Sequence, residues 1–225
     1  MTHPALTSTS HRPWPHPARP WSLTMRWEDL LFLHWPVAPA ALRAHVPDEL
    51  ELDLYDGMAW LGVVPFVMAD TRFRLLPRVP TAHRFPECNL RTYVRCGGRA
   101  GVWFFSLDAS SRLAVEGARL GFGLPYFLAR MSCAEDGGRV LYASERTDRR
   151  APAARFAASW ARPRAGEPAA AGTLEHFLVE RYCLYARRRG RLVVGEIAHP
   201  PWRLSAADCS LAVCDMARLV GLELA

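Results

Sequence analysis

The sequence predicts an α+β fold built around an antiparallel, barrel-like sheet with flanking helices. Short strand-like segments come in pairs across Asp56-Gly57, Gly97-Gly98 and Gly137-Gly138, pairings that two-residue turns favour. Helical spacing is confined to a few short stretches. Strands and helices do not alternate in the way that gives an open parallel sheet. At 225 residues and 50% hydrophobic content, the chain can bury the core of one domain, assigned here to residues 23–225.

Residues 1–22 carry Pro4, Pro13, Pro15, Pro17 and Pro20 with no acidic residue, a composition that predicts a disordered tail. Order is expected from about Met25, and the run Leu30 to Leu33 reads as a buried strand leading to His34 and Trp35. Pro39 to His45 reads as a short helix stopped by Pro47. Leu50, Leu52 and Leu54 alternate with polar residues, then turn at Asp56-Gly57 into a strand through Trp60 and Val64. Glu87 to Arg95 and Val102 to Asp108 form the next hairpin. Ser110 to Arg119 and Leu124 to Met131 read as helices. Ser132 to Asp136, Val140 to Glu145 and Arg155 to Trp160 extend the sheet. Thr173 caps a helix whose apolar spacing runs on to Tyr185, Leu192 to Ile197 is a strand, and Ser205 with Asp208 opens a final helix.

All 28 basic Lys+Arg positions are arginine. Without lysine, a Schiff base between a side-chain amine and a carbonyl substrate is unavailable. The net charge of +6 is spread along the chain, and no recognition helix or zinc finger accompanies it, so nucleic acid is not expected as a partner. The six cysteines form no CxxC or compact disulfide spacing, and no apolar run reaches membrane-spanning length. These features predict a cytoplasmic protein with no membrane partner, and they admit a homo-oligomer. GxGxxG, P-loop, GxSxG and HExxH signatures are absent from the sequence, so no cofactor and no metal is expected.

Seven stretches carry a family resemblance: LLFLHWPV at Leu30 to Val37, LRAHVPDELELD at Leu42 to Asp53, FPECNLRTYV at Phe85 to Val94, GVWFFSLDAS at Gly101 to Ser110, LPYFLARM at Leu124 to Met131, LVERYCLY at Leu178 to Tyr185, and HPPWRL at His199 to Leu204. In combination the chain resembles the YqjF-like uncharacterised family of the acetoacetate decarboxylase-like superfamily. The resemblance implies a conical antiparallel barrel with helices around it and a pocket inside. It also implies that Glu87 stands where the decarboxylase has an active-site glutamate. Its Pro-Lys-Lys catalytic motif falls on Pro125, Tyr126 and Phe127, which puts Tyr126 in place of the Schiff-base lysine. Relatives run from a helix like Ser205 to Val220 into one more strand.

Alternation along a strand puts Glu87, Asn89, Arg91, Tyr93 and Arg95 on one face, with Cys88 and Leu90 on the other. Facing inward, that polar row could bind a small organic carboxylate or carbonyl compound; facing outward, it is a solvated strand. Glu87 is the candidate general acid or base, with a buried structural ion pair as the alternative. Tyr126 could donate to a developing oxyanion or simply pack on the sheet. Arg91 and Asn89 are candidate substrate-binding residues. The resemblance adds Arg26, near an active-site arginine of the decarboxylase, and His34 is a candidate because it could titrate near neutrality. Two functional classes follow: an enzyme doing acid/base chemistry without an iminium, or a pocket protein that binds a small ligand and catalyses nothing.

Overall fold

The computed structural model describes residues 4–162 and 166–224. In chain order the strands are β1 (Leu23–Glu28), β2 (Leu33–Val37), β3 (Glu51–Leu52), β4 (Ala59–Phe73), β5 (Phe85–Cys96), β6 (Arg99–Ala109), β7 (Tyr126–Asp136), β8 (Arg139–Arg146), β9 (Arg155–Ala161), β10 (Glu167–Pro168), β11 (Cys183–Arg188), β12 (Arg191–Glu196), β13 (Arg203–Leu204) and β14 (Cys209–Cys214). The helices are α1 (Pro39–Arg43), α2 (Arg112–Phe122) and α3 (Leu174–Val179), with 3₁₀ turns at Pro4–Leu6 and Met216–Val220.

The main sheet runs β1-β4-β5-β6-β7-β8-β9-β14, with β2 also on β4, β3 on β5, and the β11–β12 hairpin joined to β6 through β11. Among the described residues this ladder is open, so the barrel closure expected from the sequence is not seen. Most pairings are antiparallel. The β6–β7 pair is parallel because α2 carries the chain back between the two strands. Ser111 caps α2 by accepting from the Ala114 amide at 3.3 Å. Ser111→Ala is therefore expected to cost about 1 kcal/mol in a denaturant melt.

Both faces of the central strands are covered, and each face has its own core. One core gathers Leu61, Val63, Cys88, Leu90, Tyr142, Phe156 and Trp160 under the C-terminal turn. The other gathers Val64, Phe66, Phe85, Tyr93, Leu107 and Tyr126 under Val115 of α2 and Leu178 of α3. Burial on both faces suits the near-continuous apolar run of β4.

Several expectations are corrected. Leu124 to Met131 is not a helix, since from Tyr126 onward it forms β7. The helix capped by Thr173 stops at Val179, and Tyr182 to Tyr185 leads into β11. The final segment is not helical from Ser205, because Cys209–Cys214 pairs antiparallel with β9. The Leu50 to Tyr55 strand does not form a hairpin with β4: β3 pairs with β5, and only Tyr55 and Met58 bridge at the turn.

The proline-rich tail is also not free. Arg12 is 8% exposed and donates to the Ile197 carbonyl, its guanidinium lying over the Tyr182 ring. Trp14 Nε1 donates to Glu196 at 2.9 Å. Prolines hinder regular structure, but they do not prevent one buried cation and one indole from anchoring an extended segment.

Candidate functional site

Strand β5 positions the site. In the β4–β5 register Glu87 faces Phe66, Asn89 faces Val64 and Arg91 faces Gly62, and directly opposed residues share a face of the sheet. The polar row therefore lies on the face of the Phe66, Tyr93 and Tyr126 core. Glu87 is 1% exposed, Asn89 0% and Arg91 5%. The inward reading holds for these three, whereas the Arg95 side chain is 46% exposed and pairs with Asp53.

The parallel register sets Tyr126 beside Leu107, which itself opposes Asn89, so Tyr126 belongs to the same face. Its hydroxyl donates to Glu87 Oε2 at 2.8 Å. From the backbone side, Tyr142 donates to the Glu87 carbonyl at 2.7 Å and fixes the strand there. Burial pushes the Glu87 carboxyl up to about 8; the Tyr126 hydrogen bond opposes this, and Asp108 adds to it. Glu87 is thus mostly protonated at pH 7. Burial likewise raises the Tyr126 hydroxyl well above its ordinary value, so it stays a donor.

Further along the face, His34 Nε2 lies 2.6 Å from the Tyr93 hydroxyl. Burial, and then the Arg91 charge, lowers His34 to about 3, so it is a neutral imidazole at physiological pH. It does not titrate near neutrality as expected. The Arg91 guanidinium lies 5.4 Å from the Phe32 ring centre and 5.6 Å from that of Tyr93, and Nη2 reaches the Leu178 carbonyl at 3.4 Å. Gly62 leaves room here: a Cβ at that position would come within 3.0 Å of His34 Nε2 and 3.3 Å of Arg91 Cγ.

Arg26 does not join the site. Its side chain is 63% exposed and pairs with Glu28 and Asp70, because alternation on β1 turns its neighbour Trp27 inward instead. Cys88 lies on the opposite face, as the strand pattern required, in the other core. Sequence reasoning missed Trp60, which sits on the polar face next to Gly62 and packs against the same core. Its place was readable from alternation with Gly62, but only once β4 was known to pair with β5.

Buried atoms without a hydrogen-bond partner among the described residues include Asn89 Oδ1 and Nδ2, Arg91 Nε and Trp60 Nε1. Two surface clefts lie elsewhere. One of about 750 Å³ is lined by Thr81, Arg84, Phe85, Pro86, Ser111 and Arg112, and one of about 380 Å³ by Trp35, Ala38 and Leu222. The expected internal hollow is neither of these, although the larger cleft begins at the two residues that precede Glu87 on β5. No group of metal-binding side chains is found among the described residues. No helix among them is long and apolar enough to cross a membrane.

Residues 24–225 match the model of the DUF2071 family, described as an uncharacterized conserved protein. The chain belongs to the DUF2071 family. A relative, uncharacterized protein YqjF of Bacillus subtilis (strain 168), is 43% identical over 204 residues, covering 91% of this chain and 84% of YqjF. Among solved structures, the chain is similar in fold to acetoacetate decarboxylase from Legionella pneumophila, with a TM-score of 0.58, 13% identity, and 93% and 84% of the two chains covered. It is also similar to the enduracididine biosynthesis enzyme MppR complexed with the condensation product of pyruvate and imidazole 4-carboxaldehyde, with a TM-score of 0.56, 15% identity, and 86% and 77% covered. For this DUF2071 member those likenesses show the fold, a mixed α+β arrangement dominated by sheet.

Proposed function

We propose that this protein performs acid/base chemistry on a small oxo acid without a covalent iminium. The observation that carries the reading is the Tyr126 hydroxyl 2.8 Å from a fully buried Glu87 carboxyl. A neutral carboxylic acid beside a phenol can give its proton to a ketone oxygen while solvent water takes one from the adjacent carbon, and the enol then returns its proton to the Glu87 carboxylate. Arg91 holds the anionic end of the ligand. The ligand class is supported by solved structures of the same fold, one an acetoacetate decarboxylase and one an enzyme complexed with pyruvate. The cleft lined by Phe85 and Pro86 borders the two residues that precede Glu87 on β5.

The test is solvent deuterium exchange at the carbon next to a ketone, followed by proton NMR with a panel of oxo acids. Exchange above buffer background is expected with the native protein. It should fall by about 10²-fold or more in Glu87→Gln and by a smaller factor in Tyr126→Phe. If Glu87 acts as the acid, the rate falls as pH rises through about 8. A panel that binds but never exchanges would overturn the catalytic reading and leave a binding protein.

A further inference from the structure

The polar face carries hydrogen-bonding capacity that the fold itself does not use. Asn89 is 0% exposed, yet neither its amide oxygen nor its amide nitrogen has a partner among the described residues, and the same holds for Arg91 Nε two positions further along the strand. Across the register, Trp60 Nε1 is a third buried donor without a partner, next to the Gly62 that faces Arg91. Buried polar groups left unpaired are costly, and their retention at adjoining positions of one face points to a ligand that pairs them.

Resting on the acid/base reading above, we infer that the substrate is an oxo acid whose ketone is remote from its carboxylate and which bears a hydroxyl between them. The argument is one of spacing and of donor and acceptor type. Glu87 and Arg91 are four residues apart on a strand, roughly 13 Å between their Cα atoms. On that spacing the carboxylate is placed at Arg91 and the ketone at Glu87 and Tyr126, as the two ends of one molecule longer than acetoacetate. Arg91 Nε and Trp60 Nε1 are donors only, which suits the carboxylate. Asn89 stands between the two ends and offers one acceptor and two donors. A hydroxyl, itself donor and acceptor, satisfies both halves of that amide. Phe32 and Phe66, on the same side of the sheet, provide the apolar wall for the carbon chain.

Calorimetric titration of the full chain with 3-hydroxy-5-oxohexanoate, 5-oxohexanoate and acetoacetate tests this. The hydroxylated acid is expected to bind about 10-fold or more tightly than its deoxy analogue, because a site built to pair a hydroxyl penalises its loss. Acetoacetate should bind more weakly than either. Asn89→Leu, close in shape, should raise the melting temperature by removing an unpaired amide, retain 5-oxohexanoate binding, and erase the preference for the hydroxyl. Trp60→Phe keeps the ring and should weaken all carboxylates, which provides a second check if the leucine variant does not fold.

Equal affinity for acetoacetate and the six-carbon acids would overturn the proposal. So would a hydroxyl preference that survives Asn89→Leu, or a panel in which no acid binds. These binding results are independent of turnover. If Glu87→Gln and the native protein both fail to exchange deuterium while the Asn89 preference persists, it is the catalytic reading that has failed.

Discussion

Asp108→Ala is expected to destabilise the protein by about 3–5 kcal/mol, because it leaves the Arg146 guanidinium buried without its counter-ion. The two side chains are each 0% exposed. Arg146 Nε donates to both carboxylate oxygens, at 2.9 and 3.2 Å, and Nη2 lies 2.8 Å from Oδ1. The same guanidinium donates to the Pro152 carbonyl and lies over the Phe127 ring, so it also ties down the turn between β8 and β9. Burial still wins over this pairing at Asp108, whose carboxyl is held up at about 6 despite its partner. The pair is thus expensive to break and contributes little net stability. Asp108→Leu combined with Arg146→Met should recover most of the loss, and urea melts of the single and double variants would decide it. A double variant as unstable as Asp108→Ala would show that the charges themselves hold the two strands.

Glu87→Gln should become progressively more stable than the native chain as pH rises. In the folded state Glu87 keeps its proton up to about pH 8, whereas its ordinary value is 4.5. Between these limits the folded chain binds one more proton than the unfolded chain. Native stability from this group is therefore complete below about pH 4.5 and is lost as pH rises through 8, at up to about 1.4 kcal/mol per pH unit. Glutamine does not titrate. The difference between the two proteins should grow by a few kcal/mol across the window, with His34 cancelling because both proteins contain it. Melting curves at several pH values measure it, and a difference that does not change with pH would mean that Glu87 is ionised in its buried position.

Much of this was legible in the sequence, and the parts that were not have identifiable causes. The alternation of Glu87, Asn89 and Arg91 with Cys88 and Leu90 specified both the strand and the separation of its faces, and the structure keeps that separation. Turn glycines located the β5–β6 and β7–β8 hairpins for the same local reason. β7 was misread because Leu124 to Leu128 lacks a period of two: it starts as a parallel strand buried from both sides, where no polar residue marks a face. The Cys209 to Cys214 strand was hidden by its neighbours Ala206, Ala207 and Leu211, good helix formers whose preference yields to the open edge of β9. Arg26 was placed by resemblance alone, and a one-residue step along β1 is enough to move a side chain from the interior to solvent.

The separate cores on either side of β5 have a practical corollary for anyone mutating it. An alanine walk from Cys88 to Arg91 should give a sawtooth: loss of thermal resistance at Cys88 and Leu90, loss of ligand response at Asn89 and Arg91. One strand would thereby report two phenotypes at alternate steps, and a single scan could sort folding defects from recognition defects without a second structure.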